Sequence, residues 1–141
     1  MKSEIRIREA LKKDIAILVQ NNQALALETE DLRLDKEVLK AGIEQALMRK
    51  ECHYFVGEIS GKVVGQTMIT YEWSDWRNGT MWWIQSVYVS EDFRRQGIYT
   101  SLYENLINLA KKDEDCCGIR LYVEKQNTRA IDTYAKLGMH N

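Results

Sequence analysis

The sequence predicts an α/β (α+β) domain, and three observations carry that expectation. Apolar residues recur every three to four positions in the N-terminal third and again after Ile98, as on amphipathic helices. From His53 to Val89 the period drops to two, with Ser60-Gly61-Lys62 and Asn78-Gly79 as turn signals. The 141 residues, 45% of them hydrophobic, suit a single domain over 1–141 with an ordinary core.

In chain order, Ile5 and Ile7 alternate with charged residues between Ser3 and Arg8, which predicts a half-exposed opening strand. Leu11, Ile15, Leu18, Asn22 and Leu25 then mark a first helix, and Leu39, Ile43 and Leu47 mark a second, which begins after Asp35. HYFVGEI and VVGQTMITYEW read as a hairpin. MWWIQSVYV follows, apolar on both faces, with Trp83, Val87 and Val89 on one and Trp82, Ile84 and Tyr88 on the other, so it is expected in the middle of the sheet. Ile98, Leu102, Leu106 and Leu109 form a helical stripe, GIRLYVE a strand, and Ala130, Tyr134 and Leu137 a last helix. Asn127 is placed to cap that helix and Gly138 to end it in the left-handed conformation. The expected order is strand, two helices, three strands, helix, strand, helix.

Composition excludes several functions. The 20 Lys and Arg nearly balance 21 Asp and Glu, so nothing drives nonspecific nucleic-acid binding. No apolar run of membrane-spanning length and no signal-like start is present, so no membrane partner and a cytoplasmic location are expected. Cys52, the pair Cys116-Cys117 and the isolated His53 and His140 lack both a disulfide framework and metal-site spacing. They read as reduced thiols and structural imidazoles, and no metal is expected.

The segment Arg94-Arg95-Gln96-Gly97-Ile98-Tyr99 joins the apolar strand to the amphipathic helix. A helix that opens straight from a glycine-bearing loop offers free N–H groups and the positive end of its dipole to an anion. Gly97 leaves room for close approach, Arg94 and Arg95 supply charge, and Ile98, Tyr99 and Thr100 supply amides. Those residues read as a diphosphate site.

The pattern Val87-x-Val89-x5-Arg95-Gln96-Gly97-Ile98 resembles the acyl-CoA-binding motif of the GNAT superfamily of N-acetyltransferases. Leu121-x-Val123-x3-Asn127-x2-Ala130-x3-Tyr134-x3-Gly138-Met139 resembles that family's following strand and helix, in the family's order and separation. The hairpin and SVYVSEDFRRQG look most like bacterial amine acetyltransferases similar to spermidine/spermine acetyltransferases. The resemblance implies a central mixed, mostly antiparallel sheet flanked by about four helices. It implies acetyl-CoA as co-substrate, with Val87, Tyr88 and Val89 along the pantetheine arm, Arg94 to Thr100 around the pyrophosphate, and Asn127 and Tyr134 as further cofactor-binding residues. Tyr134 matches the tyrosine that protonates the departing thiolate; its helical spacing also suits a core residue.

The chain departs from that family in four places. Tyr99 stands where a small residue is usual, Ser90 where proline is frequent, and Gln85 and Ser86 where relatives carry carboxylates. Relatives also continue for a strand or two beyond Gly138-Met139. The last strands are therefore expected to be missing, through truncation or completion by another chain, and a homodimer is one expected assembly.

Amide formation requires an alkyl amine to shed a proton, because at pH 7 only about one in a thousand is neutral. Glu72 is the candidate base with Gln85 or Ser86 holding a water; the competing reading is a solvated hairpin acid. Glu28, Trp73 and Trp83 are the candidate acceptor-binding residues, since carboxylates and aromatic faces attract a cation. The alternative places the tryptophans in the core. Expected activity is acetyl transfer to a primary amine of a small, cationic acceptor. The competing readings are a protein lysine or N-terminal acetyltransferase, a non-catalytic acyl-CoA-binding module, and, disfavoured by the lack of a phosphate-loop pattern, a nucleotide binder.

Overall fold

A computed structural model describes residues 4–122 and 128–139. The elements are β1 (Ile5–Glu9), α1 (Ile15–Glu30), α2 (Lys36–Ala46), β2 (Cys52–Ile59), β3 (Lys62–Ser74), β4 (Gly79–Val89), α3 (Ile98–Lys112), β5 (Cys116–Leu121) and α4 (Thr128–Lys136). Short 3-10 turns at Lys12–Asp14 and Glu91–Phe93 precede α1 and α3. This is the expected order of strands and helices.

The five strands form one sheet in the order β1-β2-β3-β4-β5. Neighbours are antiparallel except β4 and β5, which run parallel. The architecture is therefore the mixed, mostly antiparallel sheet with four helices that the resemblance implied. The strand expected in the middle lies one place off it. β4 has a neighbour on each side, but β3 is central because the N-terminal strand adds beyond β2.

Each face of the sheet carries its own core. Leu18 and Val19 of α1 and Ile43 of α2 pack with Tyr54, Val56 and Val63 on one face. Ile98, Leu102 and Leu106 of α3 pack with Phe55, Val64, Ile69, Trp82 and Ile84 on the other. Asp35 caps α2 as its sequence position predicts, accepting from the amides of Glu37 at 2.9 Å and Val38 at 3.0 Å. Leu11 does not join the α1 stripe: it precedes the helix and is exposed, because Asp14 accepts the Leu11 amide at 2.7 Å and holds a tight turn there.

The start of α3 is pressed onto the sheet at Gly65. A Cβ there would stand 2.7 Å from Ile98 Cγ2, so only glycine lets the helix come this close.

The face assignment of β4 requires correction. Met68 pairs with Gln85 and Gln66 with Tyr88, so Ser86 and Val87 together oppose Thr67. This is a β-bulge, and Ser86 takes a left-handed φ of 53°. Fully buried Gln66 donates from Nε2 to the Ser86 carbonyl at 2.9 Å, which fills the gap in the ladder. The extra residue shifts the alternation: Val87 and Val89 join the α3 core with Trp82 and Ile84, and Tyr88 turns to the α1 face. Trp83 thus parts company with Val87 and Val89.

Candidate active site

Beyond the bulge, β4 leads into the basic loop. The Ser90 amide donates to the Val64 carbonyl at 2.8 Å, the 3-10 turn follows, and Arg95 (φ 65°) and Gly97 (φ 81°) are both left-handed. No side chain caps α3, and its first described helical bond runs from the Ser101 amide to the Gly97 carbonyl at 3.0 Å. The amides of Ile98, Tyr99 and Thr100 accordingly point outward at the positive end of a 15-residue helix. A Cβ on Gly97 would meet nothing within 4 Å, so the space before these amides is open.

That space is a cleft of about 770 Å³. Val89, Arg95, Gly97 and Thr100 form one wall, and Tyr134 and Lys136 of α4 form the other. The volume falls in the range of ligand sites. Among the described residues the β4–β5 ladder runs as far as Ile84↔Leu121, and β4 continues to Val89. The strand residues expected along a pantetheine arm, Val87 to Val89, thus lie beyond the last described β5 partner. This cleft fits a diphosphate with an extended arm. Asn127 lies outside the described residues.

The two arginines play different parts. Arg94 donates from Nε to the Val89 carbonyl at 3.0 Å and from Nη2 to Glu28 Oε1 at 2.8 Å, while its guanidinium lies 5.4 Å from the Tyr88 ring centroid. Burial works against its charge, but Glu28 outweighs burial and raises the guanidinium further above its usual range. Arg95 is exposed beside the cleft. Gln96 closes the loop on itself, donating to the Asp92 carbonyl at 3.2 Å.

Opposite the loop, the Tyr134 ring meets Tyr99 edge to face, with centroids 5.5 Å apart. Burial pushes the Tyr134 phenol up, and Tyr99 acts in the opposite direction. Burial, with Tyr134 and Tyr103 adding to it, raises Tyr99 strongly, and its hydroxyl is buried without a well-formed hydrogen bond among the described residues. Tyr103 lies behind it at 6.3 Å.

The remaining candidates are not assembled into one site. Gln85 donates to Thr70 Oγ1 at 2.6 Å, and Glu72, exposed, pairs with Met81 four strand positions from Gln85, about 13 Å away. One water cannot bridge them. Trp73 pairs with Thr80 on the α3 face and Trp83 with Thr70 on the α1 face, because side chains alternate across the sheet. They cannot line one acceptor pocket, which corrects that expectation. Trp73 is 60% exposed, whereas Trp83 stacks on Tyr122 at 4.9 Å with Arg120 5.9 Å from its centroid. Glu28 is already held by Arg94.

Sequence reasoning missed two features. Lys136 and Asp132 line the cleft, and the sequence held no signal for them, because positions two away from Tyr134 fall off its helical stripe. Asn22 donates to Tyr54 Oη at 3.2 Å, and Asn22 and Ser86 of the bulge both act against the burial that raises the Tyr54 phenol, a long-range relationship with no local signal.

The sequence pattern of the acetyltransferase (GNAT) family matches residues 18–139, and the chain belongs to that family. An N-alpha-acetyltransferase from Sulfurisphaera tokodaii is 29% identical over 141 residues, covering 96% of this chain and 80% of that protein. A thialysine N-epsilon-acetyltransferase from Bos taurus is 32% identical over 83 residues, 58% of this chain and 48% of that protein. Among solved structures, a possible acetyltransferase from Clostridium difficile 630 superposes with a TM-score of 0.91 at 46% identity, covering 97% of this chain and 91% of that one. A predicted acetyltransferase from Clostridium acetobutylicum, solved with acetyl-CoA, gives a TM-score of 0.78 at 20% identity over 98% and 91% of the two chains, which speaks to the fold.

Proposed function

We propose that this chain transfers an acetyl group from acetyl-CoA to the primary amine of a small acceptor that is cationic before reaction. The observation that carries the reading is the cleft itself, with uncapped α3 amides and Gly97 on one wall and the Tyr134 phenol on the other. Bound acetyl-CoA supplies an activated thioester. The α3 amides and Arg95 hold its diphosphate, Arg94 and Gln96 hold the shape of the turn, and the Val87 to Val89 backbone lies along the arm. Tyr134, raised by burial and therefore protonated at neutral pH, holds the proton for the departing thiolate.

The acceptor approaches on the α1 face of β4, where Glu72, Gln85 and Trp83 share one side of the sheet. Glu72, exposed, attracts the ammonium and takes up its proton through solvent, while Gln85 is fixed on Thr70. The resemblance to amine acetyltransferases similar to spermidine/spermine acetyltransferases supports an alkyl amine. A peptide N-terminus is the second reading, favoured by the N-alpha-acetyltransferase likeness along 96% of this chain.

The test is free-thiol release from acetyl-CoA across alkyl diamines, amino acids, neutral and anionic amines, and peptides with free N-termini. Turnover with cationic alkyl amines supports the proposal. Activity confined to neutral or anionic amines overturns the acceptor class, and peptide-only activity replaces it with the second reading. Acetyl-CoA binding without turnover across the panel overturns catalysis.

A further inference from the structure

Tyr99 occupies an odd position for a phenol. It is the second residue of α3, where the helix must offer backbone amides, yet its ring fills the floor of the cleft between Tyr103 and Tyr134. Its hydroxyl is shut away from solvent and makes no well-formed hydrogen bond among the described residues. A buried hydroxyl left in that state costs about 1–3 kcal/mol, so a fold keeps one where something compensates. Phenylalanine would fill the same volume without the penalty.

The facing group supplies a reason. Tyr134 packs edge to face on Tyr99, and the two come from different helices that form opposite walls of one cleft. We propose that Tyr99 is a positioning residue for Tyr134: its O–H donates to the Tyr134 oxygen while that oxygen gives up its own proton. The inference rests on the reading of Tyr134 as proton donor. In the step concerned, the C–S bond breaks and its electron pair goes to sulfur. The Tyr134 proton moves to that sulfur, and the phenolate left behind accepts the Tyr99 hydrogen bond until solvent returns a proton. No other reactant is needed.

Charge balance in the cleft agrees. Arg94 and Arg95 on the loop and Lys136 on α4 face it as cations and Asp132 on α4 as the anion, while Tyr103 is the remaining phenol behind Tyr99. Arg94 is committed to Glu28 and the Val89 carbonyl, while the Tyr99 ring is in direct contact with that of Tyr134. Burial drives both phenols up, and among the described residues Tyr99 opposes it at Tyr134.

The experiment compares the wild type with Tyr99→Phe, Tyr134→Phe and the double variant, reading kcat, acetyl-CoA KM and the pH profile of kcat. Phenylalanine preserves both rings, and CoA binding with thermal unfolding checks that each variant is folded. Tyr99→Phe is expected to lower kcat roughly tenfold with KM within about twofold, one charge-assisted hydrogen bond being lost. Without the Tyr99 donation the Tyr134 phenolate is less stable, so its pKa rises and the alkaline fall of kcat moves to higher pH. The double variant is expected to be no slower than Tyr134→Phe alone. Wild-type kcat and profile in Tyr99→Phe, or an additive loss in the double variant, overturns the inference while Tyr134→Phe is slow. Wild-type turnover in Tyr134→Phe itself removes the proton-donor reading and the inference with it.

Discussion

The Arg94 guanidinium donates to both oxygens of the Glu28 carboxylate, at 2.8 and 3.2 Å, across 66 sequence positions. The bridge ties the last turn of α1 to the loop that opens α3, and so joins the α1 face of the sheet to the cleft. It also leaves a carboxylate close to a site built for an anion. Glu28→Gln removes that negative charge and keeps an acceptor for Arg94. Both side chains are a third or more exposed, so stability is expected to change by less than about 1 kcal/mol. The acetyl-CoA KM is expected to fall severalfold at low salt, with the gain fading at about 0.5 M salt as the charges are screened. A KM that rises instead means that the bridge is needed to hold the loop in shape.

Gly97→Ala separates folding from binding. The residue has a φ of 81°, which costs a non-glycine about 1 kcal/mol, but its Cβ meets no atom within 4 Å. The unfolding free energy is expected to drop by no more than about that 1 kcal/mol. The same Cβ enters the space before the α3 amides, so CoA binding by calorimetry is expected to weaken tenfold or more. Unchanged affinity would place the diphosphate elsewhere.

Gly65→Ala should act in the opposite proportion. Its Cβ would come 2.7 Å from Ile98 Cγ2, and Ile98 is 1% exposed with no room to retreat. Overpacking of this kind costs about 1–3 kcal/mol. The unfolding free energy from denaturant titration is expected to drop by that amount, and CoA affinity to fall only as far as Ile98 drags the start of α3 from its place. Wild-type stability would mean that α3 slides without cost.

The order of elements was legible because each announced itself locally. Asp35 before a 3.6-residue period, Asn78-Gly79 between two apolar runs, and Gly138 after the last stripe needed no tertiary knowledge, and each lies where local chemistry puts it. The shape of the loop was legible for the same reason, because a left-handed glycine that opens a helix depends on a few consecutive residues. What stayed hidden was relational. The bulge at Ser86 adds one residue to one strand, which a strict alternation of Trp82, Ile84 and Tyr88 cannot register, and it turned the far half of β4 over. Glu28 looked like a free acid because the partner that claims it lies 66 positions away. Trp73 and Trp83 looked like neighbours although their odd numbers lie on opposite faces. The hairpin turn between them runs Asp75 to Asn78, and pairing of Thr70 with Trp83 decides the side.

The acid limit of stability is set at the other end of the sheet. Arg8 donates to both Asp14 oxygens at 2.8 and 3.0 Å, and the Leu11 amide adds a third bond at 2.7 Å. Burial alone would raise the Asp14 carboxyl; the Arg8 and Leu11 bonds outweigh it and hold it below the usual carboxylate range. A carboxyl depressed in the folded state binds its proton more readily when unfolded. Its contribution is therefore complete above the unfolded value near 3.9 and disappears as pH falls through the lower folded value. Asp14→Asn leaves the partly buried Arg8 without its main partner, although Glu58 remains at 3.1 Å. It is expected to lose about 3 kcal/mol at pH 7. In denaturant titrations the gap between wild type and variant is expected to narrow steadily below about pH 4. A gap that stays constant down to pH 2 would show that Asp14 stabilises the turn without its charge.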